Sequence, residues 1–103
     1  MNRQKALLTL GLAQRAGKVV SGESLVLEQI KKQKTTLVFL ASDAGFNTTK
    51  RITDKASFHQ IPLIQNFTSA ELSRAIGKNN RMTLCITDSY FQTCLYDIIH
   101  EIT

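Results

Sequence analysis

Few side chains in this sequence are spaced to make or break a covalent bond. His59 falls on the apolar side of a helical stretch, and His100 lies near the chain end. No Ser, Cys or carboxylate has a histidine at a spacing that would build a nucleophile and its base. Cys85 and Cys94 form neither a CxxC pair nor a zinc-ligand spacing, and both read as buried, reduced thiols. Neither a metal nor a cofactor is expected. Gly11 and Gly17 lie in and after a helix, and Gly77-Lys78 lacks the upstream glycine and following Ser or Thr of a P-loop. Ser42, Asp43 and His59 are the only candidates for an enzyme's cleft, and the chain reads as non-catalytic.

The chemistry these residue types do support is the holding of an anion. Ser21-Gly22-Glu23-Ser24 stands where a strand passes into a helix. A helix start offers unbonded backbone N–H groups and partial positive charge. Small residues there let a phosphate or a base edge reach the backbone. Lys18 precedes this turn, and Lys31, Lys32 and Lys34 lie on or just past the helix that follows. Lys50 and Arg51 begin the next helix, beyond a turn that Asp43 is expected to structure. Lys78, Asn79, Asn80 and Arg81 form a polar, basic loop before the last strand. Such a mixture suits phosphate contacts with some hydrogen bonding to base edges. The plain alternative is an ordinary helix cap followed by a solvated face. No exposed aromatic ladder is evident, which argues against an RRM-like stacking sheet.

The charge distribution agrees with an anionic partner. Thirteen Lys and Arg face eight Asp and Glu, for a formal net charge of +5. All thirteen basic residues and five of the acidic ones fall within residues 1–81, a net +8. Residues 82–103 hold three acidic residues and no Lys or Arg, a net −3. A positive body with a basic-poor C-terminal element fits one polyanion-facing side.

These residues need a scaffold, and 103 residues suffice for one domain, 1–103. An apolar fraction of 43% and a single proline argue against disorder. The longest apolar run, Leu37 to Ala41, is too short to span a membrane. The N-terminus lacks the apolar stretch of a secretory signal, and two cysteines are too few for a disulfide scaffold. A soluble cytoplasmic protein without membrane association is the expectation.

Hydrophobic spacing predicts helices and strands in alternation. Residues 2–16 read as a helix with Ala6, Leu7, Leu8, Leu10, Leu12 and Ala13 on a broad apolar face, ended by Gly17. Residues 18–20 form a short strand, and Ser21 or Gly22 opens a helix to about residue 33 with Val26, Leu27 and Ile30 inward. Leu37 to Ala41 predicts a strand covered on both faces. Asn47 is expected to cap a helix to about residue 60, with Ile52, Ala56 and His59 on one face. Residues 61–65 follow as a strand, which Pro62 places at an edge or near a strand start. Thr68 and Glu71 form a capping box for a fourth helix ending near Gly77. Residues 82–87 form the last strand, and Asp88 caps a helix with Phe91, Cys94, Leu95, Ile98 and Ile102 inward. The order αβαβαβαβα calls for an α/β fold with helices on both faces of a small sheet. Ligands on such sheets approach at strand ends and helix starts, and the turns after the first two strands should open on one edge.

Val19-Val20-Ser21-Gly22-Glu23, Leu37 to Ala44, Asn47-x-x-Lys50-Arg51-x-x-Asp54-Lys55, Ile61-Pro62 and Ala75-Ile76-Gly77-Lys78 occur in an order that resembles the bacterial YlxQ-type members of the ribosomal L-seven-Ae superfamily of kink-turn RNA binders. The resemblance covers nearly the whole chain. It implies a three-layer α/β/α sandwich around a four-stranded mixed sheet. It also implies binding of structured RNA by the first strand-to-helix turn and nearby loops, without catalysis. With Gly22 as the anchor of the family's Gly-x-Asn-Glu-x-x-Lys signature, Ser24 stands in place of Asn, Leu25 of Glu and Glu28 of Lys. Lys32 keeps a positive charge one turn on. The loop before the last strand is apolar in typical binders and polar here. The RNA-binding residues expected are Lys18, Gly22, Glu23, Ser24, Lys31, Lys32, Lys50, Arg51, Lys78, Asn79 and Arg81. The expected partners are structured RNA, ribosomal RNA among the candidates, and ribosomal or translation-related proteins. The alternative is a protein-interaction module on the same fold, for which an exposed Leu25 would be a docking spot.

Overall fold

The computed structural model describes residues 1–101. Five helices and four strands alternate along them: α1 (Arg3–Arg15), β1 (Val19–Ser21), α2 (Glu23–Lys31), β2 (Leu37–Leu40), α3 (Phe46–Phe58), β3 (Leu63–Ile64), α4 (Ser69–Ala75), β4 (Thr83–Ile86) and α5 (Ser89–Ile99). The strands form one mixed sheet in the order β1-β4-β2-β3. β4 runs antiparallel to both of its neighbours, while β2 and β3 are parallel. β1, β2 and β3 therefore all point the same way, and β4 alone returns.

The sheet's two faces are filled by alternate residues of the same strands, as the period of two requires. Leu37, Phe39 and Ala41 join Leu84 and Ile86 in a core shared with Ala6 and Leu10 of α1, Leu72 of α4 and Leu95 and Ile98 of α5. Val38, Leu40 and Cys85 face the other way, onto Val26 and Ile30 of α2 and Ile52 of α3. The result is three layers, with α1, α4 and α5 on one side and α2 and α3 on the other. Burial on both faces explains the unbroken apolar run of β2. Pro62 precedes the edge strand β3, where its missing N–H breaks no ladder, and its carbonyl accepts from the Val38 N–H at 3.2 Å.

Local sequence accounts for most boundaries. Asn2, Thr68 and Asp88 cap α1, α4 and α5 with side-chain oxygens, and Thr68 with Glu71 completes a capping box. Gly17 follows α1 at φ +72°, a left-handed stop. Four expectations need correction. α3 begins at Phe46 with Gly45 as its cap residue, so Asn47 lies inside the first turn and caps nothing. Leu8 and Leu12 are exposed rather than inward, because Ala6, Leu10 and Ala13 define the packed stripe and residues two positions from Leu10 lie about 200° around the helix. Cys94 is only half-buried, since Leu95 and Ile98 carry the inward face of α5. Cys85 is fully buried, and desolvation pushes its thiol up to about 11. The strand expected over 61–65 is reduced to Leu63–Ile64. The inward placement expected for Ile102 lies outside the described residues.

Two leucines of α1 test this packing directly. Leu10→Ala removes a side chain with no exposed surface and should cost about 2–5 kcal/mol. Leu8→Ala should change stability by less than about 0.5 kcal/mol. Urea unfolding of both variants measures the contrast.

Candidate nucleic-acid interface

The strand directions decide which connections meet. β1, β2 and β3 end at one edge of the sheet, and β4 begins there. The β1–α2 turn, the β2–α3 turn, the β3–α4 connection and the α4–β4 loop therefore share that edge. Backbone hydrogen bonds stitch them together: Gly22 N–H to the Thr83 carbonyl at 3.0 Å, Ala41 N–H to Met82 at 2.7 Å, and Ser42 N–H to Phe67 at 2.8 Å.

Gly22 carries φ +99° and ψ 144°, a conformation that a Cβ makes costly. Its backbone turns the chain from β1 into α2 within one residue. No side chain caps the start of α2, and none caps the start of α3 at Gly45. Two helix starts whose first N–H groups receive no side-chain cap therefore open on this edge. The third helix start there, that of α4, is closed by its capping box and by Asp43. The Asp43 carboxylate accepts from Ser69 N–H at 2.8 Å and from Ser69 Oγ at 3.0 Å, so it ties the β2–α3 turn to α4.

Glu23 joins the two open helix starts. Its carboxylate accepts from Thr48 Oγ1 at 2.7 Å and from Nε of Arg51, both in the first turns of α3. The bond from Arg51 and then that from Thr48 hold the Glu23 carboxyl below the usual range, and the same pairing raises Arg51. Glu23 is thus engaged in positioning Arg51, not aimed at solvent as an acceptor. Lys50 reaches Asp54 one turn on at 3.1 Å. Lys78 and Asn79 are exposed beside a polar cleft of about 410 Å³ that Ser69, Ser73 and Arg74 also line. Arg81 is drawn partly inward: its backbone N–H donates to Ser73 Oγ at 2.8 Å, and its Nε is buried without a partner among the described residues.

Gly22, Glu23, Ser24, Lys50, Arg51, Lys78, Asn79 and Arg81 are brought to one edge. Lys18, Lys31 and Lys32 are not, because Lys18 precedes β1 and the two lysines end α2, at the opposite edge. Lys32 also pairs with Glu28 at 2.6 Å. The cationic rim is therefore divided between two edges. His59 caps the far end of α3, about 20 Å along that 13-residue helix from the Ser42-Asp43 turn, so these residues share no cleft. Among the described residues no group of three His, Cys, Asp or Glu could hold a metal, and no helix is long and apolar enough to cross a membrane. The sequence reading missed Phe46, which opens α3 on the site's edge with 81% of its surface exposed. Its signal was an aromatic directly after Gly45. Leu25, in the first turn of α2, is 56% exposed.

Residues 4–95 match the family described as Ribosomal protein L7Ae/L30e/S12e/Gadd45 family. The chain is 43% identical over 81 residues to the RNA-binding protein YlxQ of Enterococcus faecium, covering 79% of each. It is 42% identical over 90 residues to the RNA-binding protein YlxQ of Bacillus subtilis (strain 168), covering 87% of this chain and 90% of that one. A structure of a Bacillus halodurans protein, described as of unknown function, superposes with a TM-score of 0.89 at 39% identity over 94% of this chain and 98% of that one. The Giardia lamblia 15.5kD RNA binding protein superposes with a TM-score of 0.82 over 99% of this chain and 88% of that one, and at 17% identity it shows the shared fold alone.

The carboxylate ties give this edge a pH signature. Glu23, Asp43 and Glu71 are all held below their ordinary values, 4.5 for Glu and 3.8 for Asp. A lowered folded value adds stability above the ordinary one and loses it as pH falls through the lowered one. Thermal midpoints should hold steady down to about pH 5 and then fall toward pH 2. Glu23→Gln should lower the midpoint at pH 7 and flatten part of that fall.

Proposed function

The chain belongs to the ribosomal protein L7Ae/L30e/S12e/Gadd45 family, and on that premise we propose that it binds structured RNA of the kink-turn kind, without catalysis, on the edge where β1, β2 and β3 end. The observation that carries this reading is the pair of uncapped helix starts, α2 and α3, tied to each other by the bonds from Thr48 and Arg51 to Glu23. In this reading backbone N–H groups of both helices meet phosphate oxygens, which suits the partial positive charge of each helix end. Gly22 and Ser24 keep the approach open. Arg51, fixed by Glu23, presents its guanidinium in a constant direction, and Lys50 adds a second cation. Lys78 and Asn79 reach RNA from the α4–β4 loop, with Arg81 supporting that loop from inside. Phe46 stacks on a base splayed out of the helix. Lys18, Lys31 and Lys32 lie outside this footprint.

The proposed setting is the cytoplasm, with ribosomal RNA as the RNA source and ribosomal or translation-related proteins nearby. A second reading, in which the same edge meets a protein, is favoured by two exposed apolar side chains in the first turns of α2 and α3, Leu25 and Phe46. The ratio of absorbance at 260 and 280 nm after purification separates the two, because a chain with no Trp and two Tyr absorbs weakly itself.

Binding to a kink-turn RNA, a plain duplex and a scrambled hairpin across a salt series tests the proposal. The kink-turn RNA should bind tightest, and every affinity should fall with salt. Lys50→Ala and Lys78→Ala should each reduce the log–log salt slope by about 1, while Lys31→Ala leaves it unchanged. No binding to any of the three RNAs at low salt would overturn the reading.

A further inference from the structure

Leu8 and Leu12 of α1 form an apolar surface that neither the fold nor the RNA edge uses, beside a cleft whose Glu71 and Arg74 also adjoin that edge. Leu8 and Leu12, one turn apart, are 64% and 54% exposed on the outer side of the α1/α4/α5 layer. They border a cleft of about 770 Å³ between α1 and α4, floored by Gly11 and walled by Leu7 and Ala75. A Cβ on Gly11 would come within 3.1 Å of the Ala75 carbonyl oxygen, so the bare glycine lets the two helices approach closely. Apolar side chains left in water beside an open cleft mark a binding surface rather than a core.

The charges around the cleft indicate its occupant. α1 carries Arg3, Lys5 and Arg15 and no acidic residue. Arg3 is already engaged, donating to the Glu71 carboxylate and the Asn66 carbonyl at 2.7 Å and covering the Phe67 ring at 4.7 Å. That set also occupies the acidic residue of the cleft, Glu71. Arg15 and Arg74, at the rim, have no ion-pair partner among the described residues. We propose that the α1–α4 cleft docks an amphipathic helix of a protein partner, with a leucine-type stripe against Leu8 and Leu12 and acidic residues against Arg15 and Arg74. Two helices forming a trough with a one-turn apolar stripe match helix-in-groove recognition. A second copy presenting its own α1 would set cations against cations. RNA would engage the arginines and leave the leucines in water. The proposal does not rest on the RNA reading, since Leu8 and Leu12 belong to no part of that edge.

The test uses the full chain, labelled with nitrogen-15, and a synthetic amphipathic peptide of about 16 residues with Leu at helical spacing and Glu on the flanks. A twin peptide carries Lys at every Glu position. The acidic peptide should bind saturably and shift the amide signals of Leu8, Gly11, Leu12 and Ala75. The twin should bind at least about tenfold more weakly. The double variant L8S/L12S, altered only at exposed positions, should lose at least about tenfold in peptide affinity and keep its affinity for kink-turn RNA within about twofold. Four results would each overturn the proposal: no shifts on α1 or α4, equal binding of the twin, self-association in sedimentation that L8S/L12S abolishes, or an RNA affinity that falls along with the peptide's. The RNA measurement on the unmodified chain reports separately on the RNA reading, so the two can fail independently.

Discussion

The antiparallel seating of β4 between β1 and β2 is the constraint on which the rest depends. Two buried threonines secure it. Thr83 donates its hydroxyl to the Phe39 carbonyl at 2.7 Å while its own carbonyl accepts from Gly22 N–H. At the other end of the strand, Thr35 donates to the Ile86 carbonyl at 2.6 Å. Each hydroxyl is fully buried and satisfied, as a polar group in a core must be. Because β4 returns against the other strands, its entry loop arrives at the edge where they end. Four connections are thereby gathered without any long crossing loop. Were β4 parallel, Lys78 and Asn79 would lie at the opposite edge from Gly22, and the candidate site would have only one wall.

The sequence is legible where a local rule is strong. The capping box at Thr68, the Asp88 cap, the Gly17 stop and the two-sided burial of Leu37 to Ala41 each rest on residues within a few positions of one another. The convergence of the β1–α2 and β2–α3 turns was legible as well, because it follows from strand–helix alternation. What the sequence hides depends on partners distant in the chain. Whether the Lys78–Arg81 loop joined that edge turned on the direction of β4, which no spacing reveals. The separation of Lys31 and Lys32 from Gly22 is a matter of helix length, since a nine-residue helix carries its two ends about 13 Å apart. The outward turn of Leu8 and Leu12 could not be told from six apolar residues spread around one helix. Only the packing of α4 and α5 selects the stripe.

Charge counts mislead for a related reason. The +8 of residues 1–81 suggests a continuous cationic surface, but Arg3, Lys32, Lys50 and Arg51 are each held by a carboxylate. The two pairs within helices, Glu28 with Lys32 and Lys50 with Asp54, are solvent-exposed and contribute little to stability. The two pairs between elements do more for the shape. Arg3 pins the start of α1 to α4, and Glu23 pins the start of α2 to α3. Each orders a helix end that the backbone alone would leave to fray. Glu23 and Arg51 matter to the candidate site for their mutual orientation, since a guanidinium fixed at Nε offers its remaining donors in a defined plane.

That geometry bears on the departures from the family signature at Ser24, Leu25 and Glu28. A carboxylate in place of a cation should repel RNA if it faces the phosphate-binding edge. Glu28 lies about 8 Å along α2 from its start and accepts a hydrogen bond from Lys32, which also holds its carboxyl below the usual range. Its charge is therefore partly offset by the lysine one turn further on, in a pair half-exposed to solvent. Leu25 removes an acceptor from the first turn of α2 but leaves the amides of that turn uncapped, and the serine at position 24 is small enough to keep them accessible. In the proposed reading the substitutions would weaken recognition of particular base edges and would leave the uncapped helix starts to meet a phosphate backbone. Such a site would draw its affinity from phosphates and its selectivity from the shape of the RNA, because two abutting helix starts with a fixed separation can be satisfied together only by a strand whose phosphates bend to meet both.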